Sequence, residues 1–158
     1  MKQAIFAVAE NLAFGLDLGL PWDSIPDDLP TFNKLTQGTD LVMGRTTYES
    51  LPFKASANRQ FIVVSSGLMQ PENANVIILR PENLYTFLRS TGRNISLIGG
   101  MSLLTEENLK LMDKIYMTEV KGEFVADVFL PSSVYDFVKS KESVPVFHND
   151  QAEMRLYA

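Results

Sequence analysis

The segment Leu41-Val42-Met43-Gly44-Arg45-Thr46-Thr47-Tyr48-Glu49 changes character at its glycine. Before it stands an apolar run without polar alternation, which reads as a strand buried on both faces. After it the spacing predicts a short helix over Thr46 to Leu51. A buried strand passing through glycine straight into a helix is a unit of parallel α/β sheets. Similar units lie on both sides. Ala4 to Ala9, Phe61 to Val64, Val76 to Leu79, Ile95 to Ile98 and Ile115 to Val120 all read as strands, and the near-continuous apolar runs read as buried ones. Helices are predicted over Asp27 to Leu35, from Pro81 through Leu84, Phe87 and Leu88, and over Ser102 to Met112. The alternation predicts one domain over 1–158, a three-layer α/β fold. Its central sheet is mostly parallel, with helices on both faces and right-handed crossovers. From Ser133 onward the pattern shifts, and Val134, Phe137 and Val138 are expected to form a closing antiparallel hairpin with Met154, Leu156 and Tyr157.

The 158 residues are 46% apolar and 21% charged, enough for one sizeable core. A net charge of -5 weighs against non-specific nucleic-acid binding, which needs clustered lysine and arginine. The absence of cysteine excludes disulfides, thiol chemistry and cysteine-based zinc sites. The single His148 cannot build a multi-histidine metal site, so no metal is expected. Ile5 to Ala9 is too short for the core of a signal peptide, and no apolar run reaches the ~18 residues of a membrane span. The expectation is a cytoplasmic monomer with no membrane or nucleic-acid partner.

Several segments at strand ends carry groups capable of chemistry. Gly15-Leu16-Asp17-Leu18-Gly19-Leu20-Pro21-Trp22 is either a surface loop tucked down by its tryptophan or a lid over a ligand. Asp28 shares a helix face with Phe32 and Leu35, whereas Asp27 points elsewhere. An acid on an apolar face can hold or relay a proton near neutrality; equally, both aspartates suit a helix N-terminus. Gly44, Arg45, Thr46 and Thr47 offer backbone N–H groups, a guanidinium and hydroxyls to a phosphate, or simply a solvated helix start. Ser65-Ser66-Gly67 and Ile98-Gly99-Gly100-Met101-Ser102 are turns, or close-approach sites for a ligand. The second is not a GxGxxG fingerprint, so a standard Rossmann reading fails.

In this order, from Ile5 to Pro131, these segments resemble dihydrofolate reductase, as a divergent, bacterial or phage-like member. The strongest part is the Leu20-Pro21-Trp22 loop followed by Pro26, Asp28 and Phe32. It is joined by Met43 to Ser50, Arg59, Ser65-Ser66, Gly99-Gly100, Tyr116-Met117-Thr118 and Asp127 to Pro131. The resemblance implies the dihydrofolate-reductase-like fold and NADPH-dependent reduction of 7,8-dihydrofolate. It implies catalytic roles for Asp28, Leu20, Trp22 and Thr118, with Asp28 gripping the amino-pyrimidine edge and promoting protonation at N5, and Thr118 hydrogen-bonded to it. Ile5, Ala7, Leu29, Phe32 and Ile98 are implied to line the pteridine pocket under a mobile roof of Leu20 and Trp22. Arg59 is implied to pair with the glutamate α-carboxylate. For NADPH, the implied contacts are Ala7, Gly15, Leu20, Gly44, Arg45, Thr46, Thr47, Ser65, Ser66, Arg80, Ile98, Gly99, Gly100, Met101 and Ser102, with a cis bond between Gly99 and Gly100. Antifolate-type small molecules are implied ligands of the same pocket. The chain departs from the family pattern at Met101, Ser102 and Leu104, where a third glycine, a basic residue and a tyrosine are frequent. A fold-sharing pyrimidine reductase of riboflavin synthesis and a non-catalytic binding relative are the alternative readings.

Overall fold

The computed structural model of the chain describes residues 1–67 and 69–158. Its first half runs β1 (Lys2–Ala9), β2 (Ala13–Gly15), α1 (Asp28–Leu35), β3 (Asp40–Gly44), α2 (Arg45–Ser50), β4 (Phe61–Val64) and β5 (Val76–Leu79). A 3-10 turn (Pro81–Asn83) then leads into α3 (Leu84–Ser90) and β6 (Ile95–Gly99), and a second (Met101–Leu103) precedes α4 (Glu106–Leu109). The chain continues through β7 (Lys114–Val120), β8 (Val128–Phe129), α5 (Ser132–Lys139), β9 (Ser143–His148) and β10 (Ala152–Tyr157).

One sheet has the order β5-β4-β3-β6-β1-β7-β10-β9, and β2 pairs with β8 in a separate two-stranded ribbon. Within the eight-stranded sheet all pairings are parallel except the two made by β10, and the β2–β8 ribbon is antiparallel. Successive side chains of β1 show why this becomes three layers. Ala4, Phe6 and Val8 join a core with Leu84 and Leu88 of α3, Leu109 of α4, and Val134 and Val138 of α5. On the other face, Ile5 packs with Tyr116, Met154 and the α1 residues Phe32 and Leu35. Period-2 alternation on a strand covered on both sides requires apolar residues at successive positions, as Ala4 to Ala9 show. Beneath α1, a buried polar cluster ties the layers. Gln3 Nε2 donates to Ser96 Oγ at 2.8 Å and to Leu35 O at 2.9 Å, and Thr39 Oγ1 lies 2.7 Å from Ser96 Oγ.

Three expectations need correction. Val134, Phe137 and Val138 do not lie in a hairpin; their i, i+3, i+4 spacing belongs to α5, and the hairpin is β9–β10. Pro145 lies in β9, which closes one edge of the sheet, where a missing N–H is tolerated. The helix expected over Ser102 to Met112 is broken. Leu104 leaves helical geometry at φ -89, ψ 60, and Thr105 restarts the helix by accepting a hydrogen bond from Asn108 N at 3.1 Å. Finally, β5 is the other sheet edge rather than a buried strand, leaving Ile77 and Ile78 exposed.

Candidate active site

The parallel strands end along one side of the sheet, and a cleft of about 1520 Å³ opens there. Its apolar end is formed by Ile5 and Ala7 of β1, Leu29 and Phe32 of α1, and Ile98 of β6. Asp28, the first residue of α1, lines this wall, while Asp27 lies outside it. Burial among these side chains pushes the Asp28 carboxyl above the usual carboxylate range. Across from it Thr118 projects from β7 into the same cleft. The expected hydrogen bond from Thr118 to Asp28 is not formed. Thr118 Oγ1 is buried and, among the described residues, has no partner. An unsatisfied buried hydroxyl costs about 1–3 kcal/mol, so this wall is built to receive a polar ligand atom.

The loop after β2 covers the cleft mouth. Leu16 and Gly19 exchange backbone hydrogen bonds of 3.0 and 2.9 Å, and the two residues between them, Asp17 and Leu18, are left-handed at φ 49 and 66. The strained positions are therefore these, not the flanking glycines. Gly15 serves packing instead, since a Cβ there would meet Val128 Cβ at 3.4 Å. The loop is tied to the β7–β8 connection by Asp127 N donating to Gly15 O at 2.9 Å and by Asp17 N donating to Asp127 Oδ2 at 3.0 Å. Leu20 lines the cleft and is largely exposed, as a roof residue is expected to be. Trp22 is different: it is buried, edge-on to Phe124 at 5.8 Å, and packs with Ile25, Val120 and Ala152. It anchors the loop as well as lining the cleft.

The polar end lies at the ends of β3, β4 and β6. Gly44, Arg45, Thr46 and Thr47 line it together with Ser65, Ser66, Gly100, Met101 and Ser102. The Gly99–Gly100 peptide is cis, with Gly99 at φ 117. Gly99 itself is buried behind the wall, and Gly100 presents the backbone. A Cβ on Gly100 would make ordinary contact with Thr47 Oγ1 at 3.6 Å, and one on Gly44 with Gly100 N at 3.6 Å, so the ends of β3 and β6 lie side by side at this end of the cleft. Arg45 Nε is bound by Glu49 Oε1 at 2.9 Å. Arg80, by contrast, does not line the cleft; its Nε is held by Glu82 Oε1 at 2.7 Å.

Arg59 lies in a side cavity of about 550 Å³, beyond Phe53, which lines both spaces. Its guanidinium stacks 5.0 Å over the Phe53 ring, and Nη1 donates to Asn33 Oδ1 at 3.4 Å. Phe53 was not singled out in the sequence, although it packs on Phe32 at 6.2 Å and thereby joins the apolar wall to the arginine. An aromatic just past the end of α2 was its only signal. Met154 and Leu103 also line the cleft and carried no signal beyond apolar character.

A sheet with this strand order, one desolvated acid on an apolar wall and a glycine-lined polar end define a small α/β enzyme with a site for an elongated, partly anionic ligand. The family profile for dihydrofolate reductase matches residues 1–156. Dihydrofolate reductase type A10 of Escherichia coli is 33% identical over 138 residues, covering 84% of this chain and 73% of that protein. Dihydrofolate reductase of Bacillus subtilis (strain 168) is 33% identical over 131 residues, covering 83% and 76%. A solved structure of dihydrofolate reductase from Enterococcus faecalis, complexed with NADP(H) and RAB-propyl, superposes with a TM-score of 0.77 at 26% identity, covering 99% of this chain and 95% of that one. The chain belongs to the dihydrofolate reductase family, oxidoreductases that reduce 7,8-dihydrofolate to 5,6,7,8-tetrahydrofolate with NADPH. Among the described residues, no helix is long and apolar enough to cross a membrane.

Proposed function

We propose that this cleft carries out NADPH-dependent reduction of 7,8-dihydrofolate with Asp28 as the residue that promotes proton delivery to N5. The observation that carries this reading is the pairing of one desolvated carboxyl with the unpartnered Thr118 hydroxyl on an otherwise apolar wall. A pteridine presents a flat apolar body with a polar amino-pyrimidine edge, which fits that wall. The Asp28 carboxylate accepts hydrogen bonds from the exocyclic amino group and a ring N–H, and Thr118 binds the same edge. Ile5, Ala7, Leu29, Phe32 and Ile98 exclude water around the ring, and Leu20 closes over it. Exclusion of water keeps the Asp28 pKa high, and a group that ionises closer to neutrality is the better proton relay. Arg59, pre-stacked on Phe53, takes the α-carboxylate of the glutamyl tail.

NADPH supplies a hydride to C6 when bound. The residues at the polar end fit such a dinucleotide. Gly99 and Gly100 permit close backbone approach, Gly44, Arg45, Thr46 and Thr47 supply donors for its phosphates, and Ser65 and Ser66 face the 2′-phosphate. Ala7, Gly15, Met101 and Ser102 complete the contacts. Arg80 reaches that end only by leaving Glu82. One domain over 1–158, acting as a cytoplasmic monomer without nucleic-acid or membrane partners, suffices for this chemistry, and antifolate-type diaminopyrimidines are ligands of the pteridine end.

The test is oxidation of NADPH by the purified protein, followed by absorbance. A rate that depends on dihydrofolate and is blocked by a diaminopyrimidine supports the proposal. A folded protein that binds NADPH and shows no such rate refutes it and makes the chain a non-catalytic relative.

A further inference from the structure

The link from Ile25 to Asp28 aims the acid, and its conformation is unusual for its residues. Asp28 N donates to Ile25 O at 3.2 Å, closing a turn with Pro26 and Asp27 at its centre. Asp27 is left-handed, at φ 73 and ψ -14. Proline followed by a left-handed residue is the type II pattern, whose third position strongly favours glycine. Asp27 also lacks any side-chain capping bond to α1, so nothing within the turn offsets the conformation. In a type II turn the central peptide is flipped relative to the commoner type I, which reverses the direction of the carbonyl between the two middle residues. That carbonyl is Pro26 O, and it is bound from the far end of the chain: Asn149 Nδ2 donates to it at 2.8 Å.

Asn149 sits in the turn between β9 and β10, and its side-chain orientation is fully determined. Its Oδ1 accepts from Gln151 N at 2.8 Å and from Ala152 N at 3.0 Å, so the amide nitrogen must face Pro26. Ala152, next in the strand, packs with Ile25 and Trp22 in one buried cluster, which gives the turn a rigid platform. We propose that Asn149 is a positioning residue for Asp28: its amide holds the Pro26 carbonyl in the flipped orientation, substitutes for the missing glycine at Asp27, and so sets the angle at which α1 delivers Asp28 to the cleft. The proposal rests on the role given above to Asp28.

Asn149→Asp separates this role from upkeep of the hairpin. The carboxylate keeps an acceptor for Gln151 N and Ala152 N and presents an oxygen, in place of a donor, to Pro26 O. Asp27→Gly provides the rescue, because glycine takes the left-handed conformation without help. With the wild-type protein and NADPH bound at saturation, Asn149→Asp is expected to slow single-turnover hydride transfer roughly ten- to a hundredfold, as a misplacement of about 1 Å does. NADPH affinity stays at the wild-type value, and the melting temperature falls only slightly, as the loss of one hydrogen bond requires. The double variant Asp27→Gly/Asn149→Asp recovers most of the rate. A wild-type rate in Asn149→Asp, or a loss accompanied by equal losses in NADPH binding and melting temperature and not rescued by Asp27→Gly, overturns the proposal.

A readout without turnover separates failure of this inference from failure of the reductase reading. It is titration of the Asp28 carboxyl by carbon NMR in the ligand-free protein. Asn149→Asp adds a carboxylate at this turn and Asp27→Gly removes one, charge changes that by themselves would raise and then lower the Asp28 midpoint, opposite to the shifts expected from positioning. The other charged side chains lining the cleft, Asp23, Arg45, Glu107 and Asp127, are common to all variants. Asn149→Asp is expected to bring the Asp28 midpoint down toward that of an exposed carboxylate, and Asp27→Gly to restore it. An unchanged midpoint overturns the positioning role even if wild type reduces dihydrofolate. A midpoint shifted and restored as expected supports it even if wild type does not.

Discussion

Thr118 and Glu119 are neighbours on β7 and point to opposite faces of the sheet, and they treat their polar atoms in opposite ways. Glu119 is saturated. Its Oε2 accepts from Tyr135 OH at 2.8 Å, and its Oε1 accepts from Lys139 Nζ at 2.8 Å and from Tyr157 OH at 3.4 Å. These partners come from α5 and β10, so one carboxylate fastens a helix and the last strand to the sheet. Thr118, a residue away, is more deeply buried and has no partner among the described residues. Asp28 is half-buried in the same cleft, and desolvation is the cause of its shift. A polar group whose bonds are all made within the protein serves the fold. One left wanting in a cleft stores a cost that a ligand of the right shape recovers. The face of α5 is finished, and the face of the cleft is not.

The sharpest way to break this contrast is to remove the titratable group from the unfinished side. Asp28→Asn is expected to slow hydride transfer near neutral pH by about 10²–10⁴-fold, the usual worth of a positioned acid or base. Partial recovery is expected at low pH, where solvent supplies the proton. Stability is expected to move the other way. Because the folded pKa lies above the unfolded one, the wild-type protein favours the protonated acid. The associated stability is complete below the unfolded value of 3.8 and is lost as pH rises through the folded value. Ligand-free Asp28→Asn is therefore expected to melt higher than wild type at neutral pH and to converge with it in acid. A lower melting temperature at neutral pH contradicts the contrast. The next largest effect belongs to Arg59, whose guanidinium is pre-positioned by Phe53 for a charge the protein lacks. Arg59→Ala is expected to weaken dihydrofolate binding by about 1.5–3 kcal/mol, the range for hydrogen bonds to charged groups. Folate fragments without the glutamyl tail are expected to bind the variant and wild type alike.

Adjacent substitutions on β7 sharpen the comparison further. Thr118→Val removes a hydroxyl that bonds nothing within the described structure. It is expected to leave the melting temperature of the ligand-free protein unchanged or higher and to weaken pteridine binding by about 1 kcal/mol. Glu119→Ala is expected to reverse that outcome, with stability falling by about 1–3 kcal/mol through three orphaned partners and single-turnover rate retained. Equal effects of the two on both measurements remove the distinction between the faces.

The sequence made the cleft more legible than the closing elements, for physical reasons. Gly44 and Gly100 stand at strand ends, the Leu20-Pro21-Trp22 loop follows a strand and Asp28 opens a helix, and each alone was equally open to a structural reading. Their order carried the family resemblance. Val134, Phe137 and Val138 were set at helical spacing and still misassigned, because a short amphipathic helix next to a hairpin was read as a continuation of it. Leu104 and Thr105 show the opposite failure: apolar periodicity ran on through a break that only a side-chain cap reveals. The left-handed residues Asp17, Leu18 and Asp27 carried no signal, since none is glycine. Nor did Phe53 and Asn149, whose partners Arg59 and Pro26 are found only through tertiary structure.

The smallest expected effect concerns the finished face alone and appears only at high pH. Tyr135 lies against the Glu119 carboxylate, and burial, that hydrogen bond and the adjacent negative charge push its hydroxyl from the usual 10.0 up to about 12. Lys139 is also held protonated, chiefly by its hydrogen bond to Glu119. Both shifts have the same sign. The folded protein keeps protons that the unfolded chain releases, so the clasp contributes fully below pH 10.0 and its contribution declines as pH rises toward about 12. Tyr135 is only partly buried, so solvent screening keeps the effect modest. Tyr135→Phe removes the hydroxyl and its titration together. It is expected to melt slightly below wild type at neutral pH, and the gap is expected to close as pH rises from 10 to 12. Melting curves of the two proteins across that interval read the gap directly. Parallel curves, with no convergence, mean that Glu119 does not hold the Tyr135 proton, and the saturated side of the comparison then rests on Lys139 and packing alone.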